Sequence, residues 1–356
     1  MDSISLQATR DRHRAEVASW KTIVAPFEKP SAGRGVWQTA STLAAYAATW
    51  ALMALLQPVS WWLTIPLVVL AGGLLARVFI IFHDCCHNSL LPSARANRVL
   101  GFFTGVLVFT SFRHWRWEHS LHHASAGDLD RRGVGDVWTM TVEEFLAAPW
   151  WKRLLYRVMR NPVVLLGICP LLLFLVRERL SSRGASATAR HSVWLTNLGL
   201  AVMITAGCLL FGVAPFLILQ FAVLAVTSTT AVWMFYVQHQ FEGVYWERHQ
   251  DWEYTSAALL GSSFYKLPRI LQWFSGNIGY HHVHHLSSKI PNYHLERCHR
   301  AHELFSKASV LTLKTSLRCL RFRLWDESNK RLVGFRQARL ARLARQAAAA
   351  ASPAGA

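Results

Sequence analysis

Carboxylates are scarce in this chain of 356 residues: 20 Asp and Glu stand against 38 Lys and Arg, a formal charge of +18. Charged residues of both signs make up only 16%, while 52% are hydrophobic and 16 are Trp. That balance excludes an ordinary soluble enzyme. The six Cys (85, 86, 169, 208, 298 and 319) contain no CxxC pair and no even framework of spacings. A disulfide scaffold, a zinc ribbon and a built-in iron–sulfur cluster are thereby excluded, and a reducing face suffices. No HExxH pattern is present, which argues against a zinc protease. The first 34 residues carry acids and bases with no early apolar run, so no signal peptide is expected. In a soluble protein a charge of +18 would suggest nucleic acid as a partner. Here basic loops facing anionic lipid are the better reading, and no nucleic-acid partner is expected. A basic face could also receive an acidic electron carrier.

What the chain does have is long uncharged runs. From Gly35 to Ala76, 42 residues pass without Asp, Glu, Lys or Arg, enough for two spans of about 20 residues each. Gln57-Pro58 interrupts the run and Trp61-Trp62 marks an interface beside it, so helices are expected at about 36–56 and 61–82. A second run, His191–Phe241, covers 51 residues; Gly212 and Pro215 divide it into spans of about 193–212 and 214–237. Val99–Phe112 and Asn161–Val176 are too short to cross and read as helices lying in the interface or dipping into the bilayer. The turns at 57–60 and 212–214 contain no Lys or Arg, so the polar regions share the cytoplasmic side. The fold class is therefore an all-α integral membrane protein, with four transmembrane helices in two hairpins, interfacial helices and a cytoplasmic histidine-rich cap. The organisation expected is a cytosolic segment at 1–34, with some helix around Ser5–Lys21, a membrane domain at 35–305 and a basic tail at 306–356. The tail repeats Arg and Leu at helical spacing; a surface helix on anionic lipid and a solvated helix are equally good readings.

The histidines carry the chemistry. GNIGYHHVHH (276–285) holds four in five residues, with His281, His284 and His285 at i, i+3 and i+4, within about a 100° arc of one helix face. His282 lies to one side; were the segment not a regular helix, His281 and His282 could exchange roles. HWRWEHSLHH repeats the spacing at His119, His122 and His123, with His114 on the opposite face. IIFHDCCHNS places His83 and His87 one turn apart, just past the end of a span. One HxxxH alone is weak, but three such clusters in order, each beside a membrane segment, are a strong signal for metal ligation. His239, at the cytoplasmic end of the last span, is a ninth candidate. Among nearby carboxylates Asp128, Asp130 and Glu242 are expected to orient ligand imidazoles, with salt bridges to Arg131 or Arg132 competing. Asp84 and Glu118 are expected to point elsewhere on their helices. Trp115, Trp117 and Trp138 either line an acyl tunnel or anchor the interface.

With these residues in place the chain resembles the membrane fatty acid desaturases, a family defined by three histidine boxes. Here they read HDCCH (83–87), HSLHH (119–123) and HHVHH (281–285). The resemblance runs from about residue 35 to about 300, and the short first box is closest to the acyl-lipid omega-6 or Δ12-type branch. Cys86 stands where the family usually has Gly, and a thiol near iron is an oxidation risk. The resemblance implies oxygen-dependent introduction of a cis double bond into a long fatty-acyl chain, with dioxygen as co-substrate. Eight or nine imidazoles are too many for one ion and suit two; thiolate-free histidine coordination with room for dioxygen fits two non-haem irons, which the resemblance also implies. Animal acyl-CoA desaturases place a lone ligand histidine where His239 stands. They also hold an iron-bound water on an Asn near the last spans; Phe235 occupies the comparable turn here, and Asn277 is the substitute considered. The partners implied are the bilayer, a fatty-acyl substrate and an external electron donor of ferredoxin or cytochrome b5 type, with a bacterial inner membrane as the setting. A hydroxylase or ketolase of the same di-iron group, acting on alkanes, lipids or carotenoids, is the alternative. A metal transporter would need polar residues along the spans, and the first run has none charged.

Overall fold

The computed structural model describes residues 20–340 together with 342 and 343. The helix expected around Ser5–Lys21 and the end of the basic tail lie almost wholly outside these residues. Four helices are long and apolar enough to cross a membrane: α1 (Ala32–Leu56), α2 (Trp61–His87), α8 (Ala187–Phe211) and α9 (Val213–His239). They form two hairpins, and the turn within each is short. Ser60 caps α2, its hydroxyl accepting from the Trp62 N–H at 3.2 Å. Gly212, at φ 83°, is the single residue between α8 and α9. The spans run two to six residues beyond the expected ends toward the histidines, carrying His83, His87 and His239 inside regular helix. Large apolar side chains cover their outer faces, among them Trp62 (82% exposed), Leu209 (82%) and Trp194 (73%). Such exposure fits contact with lipid and not with water.

Between the hairpins lie α3 (Ala94–Leu107), α4 (Phe112–Ser125), α5 (Val142–Ala147), α6 (Trp150–Met159) and α7 (Cys169–Leu175). The segment Val164–Arg179 turns 65° away from α6. A π turn at Val164–Ile168 and Pro170 account for the irregularity. Proline cannot supply the N–H that the Leu166 carbonyl would receive in a regular helix; the Thr229 hydroxyl of α9 donates to that carbonyl instead, at 2.7 Å. The chain thus enters and leaves on the same side. This is required, because α2 ends and α9 ends at one common site, so residues 88–186 must cross an even number of times.

After α9 come α10 (Tyr254–Leu260), α11 (Arg269–Phe274), α12 (His281–Leu286) and α13 (Asn292–Ala301), with four of the five strands of two or three residues. Residues 335–340, 342 and 343 are helical, as the Arg and Leu spacing predicts, but residues 308–333 are helical only at Leu313–Arg321. They form β3 (Val310–Leu311), β4 (Leu324–Asp326) and β5 (Arg331–Val333), which join β1 (Met140–Thr141) and β2 (Phe264–Tyr265) in two small sheets. The reason is a set of buried polar clamps. Arg160, 1% exposed, donates to the Phe322 carbonyl at 3.0 Å and to Gln240 Oε1 at 2.8 Å. Tyr236 Oη donates to the Cys319 and Phe322 carbonyls at 3.1 Å. Trp325, Cys319 and Leu332 then share a core with Tyr236, Val237 and Phe241 at the end of α9.

The two hairpins meet where α2 crosses α9. A Cβ on Gly72 would lie 2.5 Å from Val226 Cγ1, and Thr227 Oγ1 donates to the Gly72 carbonyl at 3.0 Å. Gly72→Val must force the helices apart and should cost about 1–3 kcal/mol, read as a lower thermal midpoint in lipid nanodiscs. Gly33→Ala, with nothing within 4 Å of the added carbon, should leave that midpoint unchanged.

Candidate metal centre

Four segments bring nine histidines to one place. The last turn of α2 carries His83 and His87, α4 carries His119, His122 and His123, α9 ends on His239, and α12 carries His281, His284 and His285. They form two groups, each with ligand atoms within 4.8 Å of one another: His83, His87, His119, His123 and His284, and then His122, His239, His281 and His285. Each HxxHH box divides between the groups. The i, i+4 pairs 119/123 and 281/285 stay together, while His122 and His284 reach across to the other group.

The donor atoms test whether a metal fits. In the four-histidine group Nε2 of His239 lies 3.2 Å from Nε2 of His122 and 2.9 Å from Nε2 of His281, which lies 3.1 Å from Nε2 of His285. In the five-histidine group Nε2 of His123 lies 3.0 Å from Nε2 of both His119 and His284. Ligands about 2.1 Å from one ion at right angles stand about 3.0 Å apart. The outer nitrogens set the tautomers. Nδ1 of His122 donates to Asp136 Oδ1 (2.6 Å), Nδ1 of His239 to the Gly261 carbonyl (3.3 Å) and Nδ1 of His83 to Asp84 Oδ1 (3.0 Å). In a neutral ring a protonated Nδ1 leaves Nε2 with only a lone pair. The Nε2 atoms of His122 and His239 are therefore two acceptors facing each other, an arrangement that needs a cation between them. Nε2 of His87 is buried with no partner. The residues fit metal.

Outside the spans, burial first and neighbouring imidazoles second hold His119, His123, His281, His284 and His285 well below the ordinary imidazole range. They are the neutral donors a metal requires. His282 sits apart, fully buried, with Nε2 3.0 Å from His299 Nδ1 and the Phe264 and Phe305 rings around it. Burial, then His299, pushes its pKa down to about 3. α12 is a regular helix from His281, so the roles of His281 and His282 do not exchange. His114 accepts from the Ser182 N–H at 3.0 Å and joins neither group.

The orienting carboxylates differ from those expected. Asp128 pairs with His249 (2.7 Å) and Arg131 (3.8 Å), and Asp130 with Arg248 (2.6 Å). Glu242 is exposed, and Asn277, at φ 60°, shapes the turn before α12 and donates to the Asn292 carbonyl at 3.4 Å. Among the described residues none of these four meets the nine histidines. Asp84 and Asp136 do. Adjacent helical residues diverge by about 100°, but Nδ1 lies on the backbone side of the ring, where the short Asp84 side chain reaches it. Asp84 Oδ2 accepts from the Asn292 backbone N–H (2.7 Å) and Nδ2 (2.9 Å), and Asn292 Oδ1 accepts from Gln38 Nε2 (3.0 Å). Asp136 lies 14 residues past His122 and returns because Gly135, at φ 74°, packs against His122; a Cβ there would lie 3.2 Å from that of His122. The glycines of RRGVGD were the available signal. Glu118 does point away: burial opposes its charge, but Arg177 and Ser182 outweigh burial and hold the carboxyl below its ordinary value.

An aromatic wall closes the site toward the spans. Trp115 stacks on His119 (4.1 Å between centroids) and touches Phe79 and Phe82. Phe235 packs 5.0 Å from both His122 and His239. Trp138 instead meets Tyr156 and lines a cleft with Arg132, Glu144 and Lys152. Cys86 is buried with Sγ 3.8 Å from the Phe112 carbonyl.

A family model described as "Fatty acid desaturase" matches residues 60–316. A "Fatty acid desaturase" of Bacillus subtilis (strain 168) is 47% identical over 313 residues, covering 88% of this chain and 89% of the relative. The "sn-1 oleoyl-lipid 12-desaturase" of Synechocystis is 27% identical over 67% of this chain and 68% of its own length. The "sn-1 acyl-lipid omega-3 desaturase (ferredoxin)" of the same organism is 24% identical over 73% and 69%.

Two outcomes are expected at this site. Asp136→Asn should weaken metal binding by about 10–100-fold in competition with a chelator, whereas Glu242→Gln should not. His119, His123, His281, His284 and His285 are held neutral when folded but protonate below about pH 6.5 when unfolded. The unfolded state then binds more protons, so the metal-free chain should lose stability as pH falls below that value and be insensitive above it. Thermal midpoints of the metal-free protein between pH 8 and pH 5 check the sign.

Proposed function

The chain belongs to the fatty acid desaturase family, and it desaturates fatty-acyl groups; we propose that it does so at two non-haem irons held by the nine histidines, with electrons from a separate carrier. In this proposal His83, His87, His119, His123 and His284 hold one ion and His122, His239, His281 and His285 the other. The observation that carries the reading is the pair of opposed Nε2 lone pairs on His122 and His239, inside two imidazole groups with no thiolate.

When bound, the iron pair supplies the oxidising power, drawn from dioxygen, that unactivated C–H bonds demand. The net reaction takes the acyl chain, dioxygen, two electrons and two protons to the alkene and two waters. The protein's own residues do the rest. Asp84 and Asp136 fix the ring orientations of His83 and His122. Phe79, Phe82, Trp115 and Phe235 keep the membrane side of the histidines apolar, which excludes water and admits methylene groups. Holding the chain so that a single carbon pair faces the oxidant is what selects the bond. The names of the cyanobacterial relatives favour an acyl chain carried on a lipid and a donor of the ferredoxin kind. The basic segments favour a cytoplasmic position for the histidines.

Expression with a ferredoxin system, followed by mass spectrometry of cellular lipids, tests this. Acyl chains lighter by two mass units are expected. A gain of sixteen would mean hydroxylation, and unchanged lipids with iron bound and reduced would refute the reading. His284→Ala should abolish product.

A further inference from the structure

Seven of the nine histidines are buried; His87 and His123 alone are partly exposed, and both belong to the five-histidine group. An electron arriving from outside the chain therefore meets that group first, at the edge formed by the last turns of α2 and α4. Several cations elsewhere on the polar segments are already paired. Arg132 pairs with Glu144, Arg248 with Asp130 and Glu327, and Lys330 with Glu247. Arg113 and Arg116 are exposed on α4, and among the described residues neither meets a carboxylate. With the Asn88 carboxamide presenting its oxygen, the Arg116 guanidinium donates to it at 3.0 and 3.2 Å. Asn88 directly follows His87. On α4, Arg116, Ser120 and His123 stand at i, i+4 and i+7, on one face. Arg116 thus stands beside the His87 end of the pair, two turns from His123 on the same face of α4, while the His87 and His123 rings touch each other at 4.9 Å between centroids.

We propose that the His87–His123 edge is the entry port for electrons, and that Arg116, assisted by Arg113, docks an acidic one-electron donor of the ferredoxin kind. This rests on the function proposed above. In each encounter one electron leaves the donor's reduced iron–sulfur cluster, which is oxidised, and reduces the ferric pair by one. Two encounters supply the two electrons needed per dioxygen, and solvent supplies the protons. Unpaired arginines suit this task, because a donor carboxylate need not displace an internal partner.

The test uses the full chain in nanodiscs and a reduced plant-type [2Fe–2S] ferredoxin as probe. Binding of labelled ferredoxin to the metal-free protein should weaken about tenfold or more in Arg116→Glu, and the salt dependence of binding should flatten. The iron-loaded variant should be reduced correspondingly more slowly by ferredoxin, yet at the parent rate by dithionite, which needs no docking. Arg113→Glu, which leaves the Asn88 contact intact, should show the same split in milder form, and Arg248→Glu should show none. Unchanged ferredoxin binding and reduction in Arg116→Glu would overturn the port while leaving the donor class intact. A parent protein that dithionite reduces but ferredoxin neither binds nor reduces would overturn port and donor class together. Desaturation is judged separately, by the lipid masses.

Discussion

Two imidazole lone pairs 3.2 Å apart and aimed at each other, on His122 and His239, repel unless a cation lies between them. Much of the molecule serves to hold that unfavourable arrangement ready. Asp136 and the Gly261 carbonyl take up the outer N–H groups, so neither ring can relieve the contact by moving its proton inward. The membrane supplies the frame: α2 and α9 are tied at Gly72 and Thr227 and end side by side, each delivering histidines from its final turn.

The features legible in sequence were those set by period and composition. Uncharged runs marked four spans, and i, i+3, i+4 spacing placed six histidines on the inner faces of α4 and α12. Contacts between distant segments were not legible. Asp136 reaches His122 only because a glycine turn folds back on α4, and Asp84 is stabilised by Asn292, 208 residues away. Asp128 was attractive because it follows the second box closely, yet its partner His249 comes from a loop that no local pattern connects to it. The basic tail followed its pattern only in part. Its Arg–Leu spacing gives helix at 335–340, but nearer the membrane domain β1, Arg160 and Tyr236 offer the backbone around Phe322–Trp325 better partners.

The site joins two environments that usually exclude each other. Its inner wall is aromatic and faces the spans, as an acyl chain requires, while its outer edge at His87 and His123 is partly exposed. The ligands themselves are the boundary. Trp115 shows the division within one helix: its ring packs on Phe79 and Phe82, whereas Arg116, the next residue, is exposed.

The division of each HxxHH box between the two groups has a mechanical consequence. His119 and His122 serve different groups from one rigid helix, as do His284 and His285 from another. The separation of the two centres is thus a backbone quantity, set by the pitch of α4 and α12 like marks on a ruler. An insertion of one residue within either box would rotate donors of both centres at once, so the pair can be altered only as a unit.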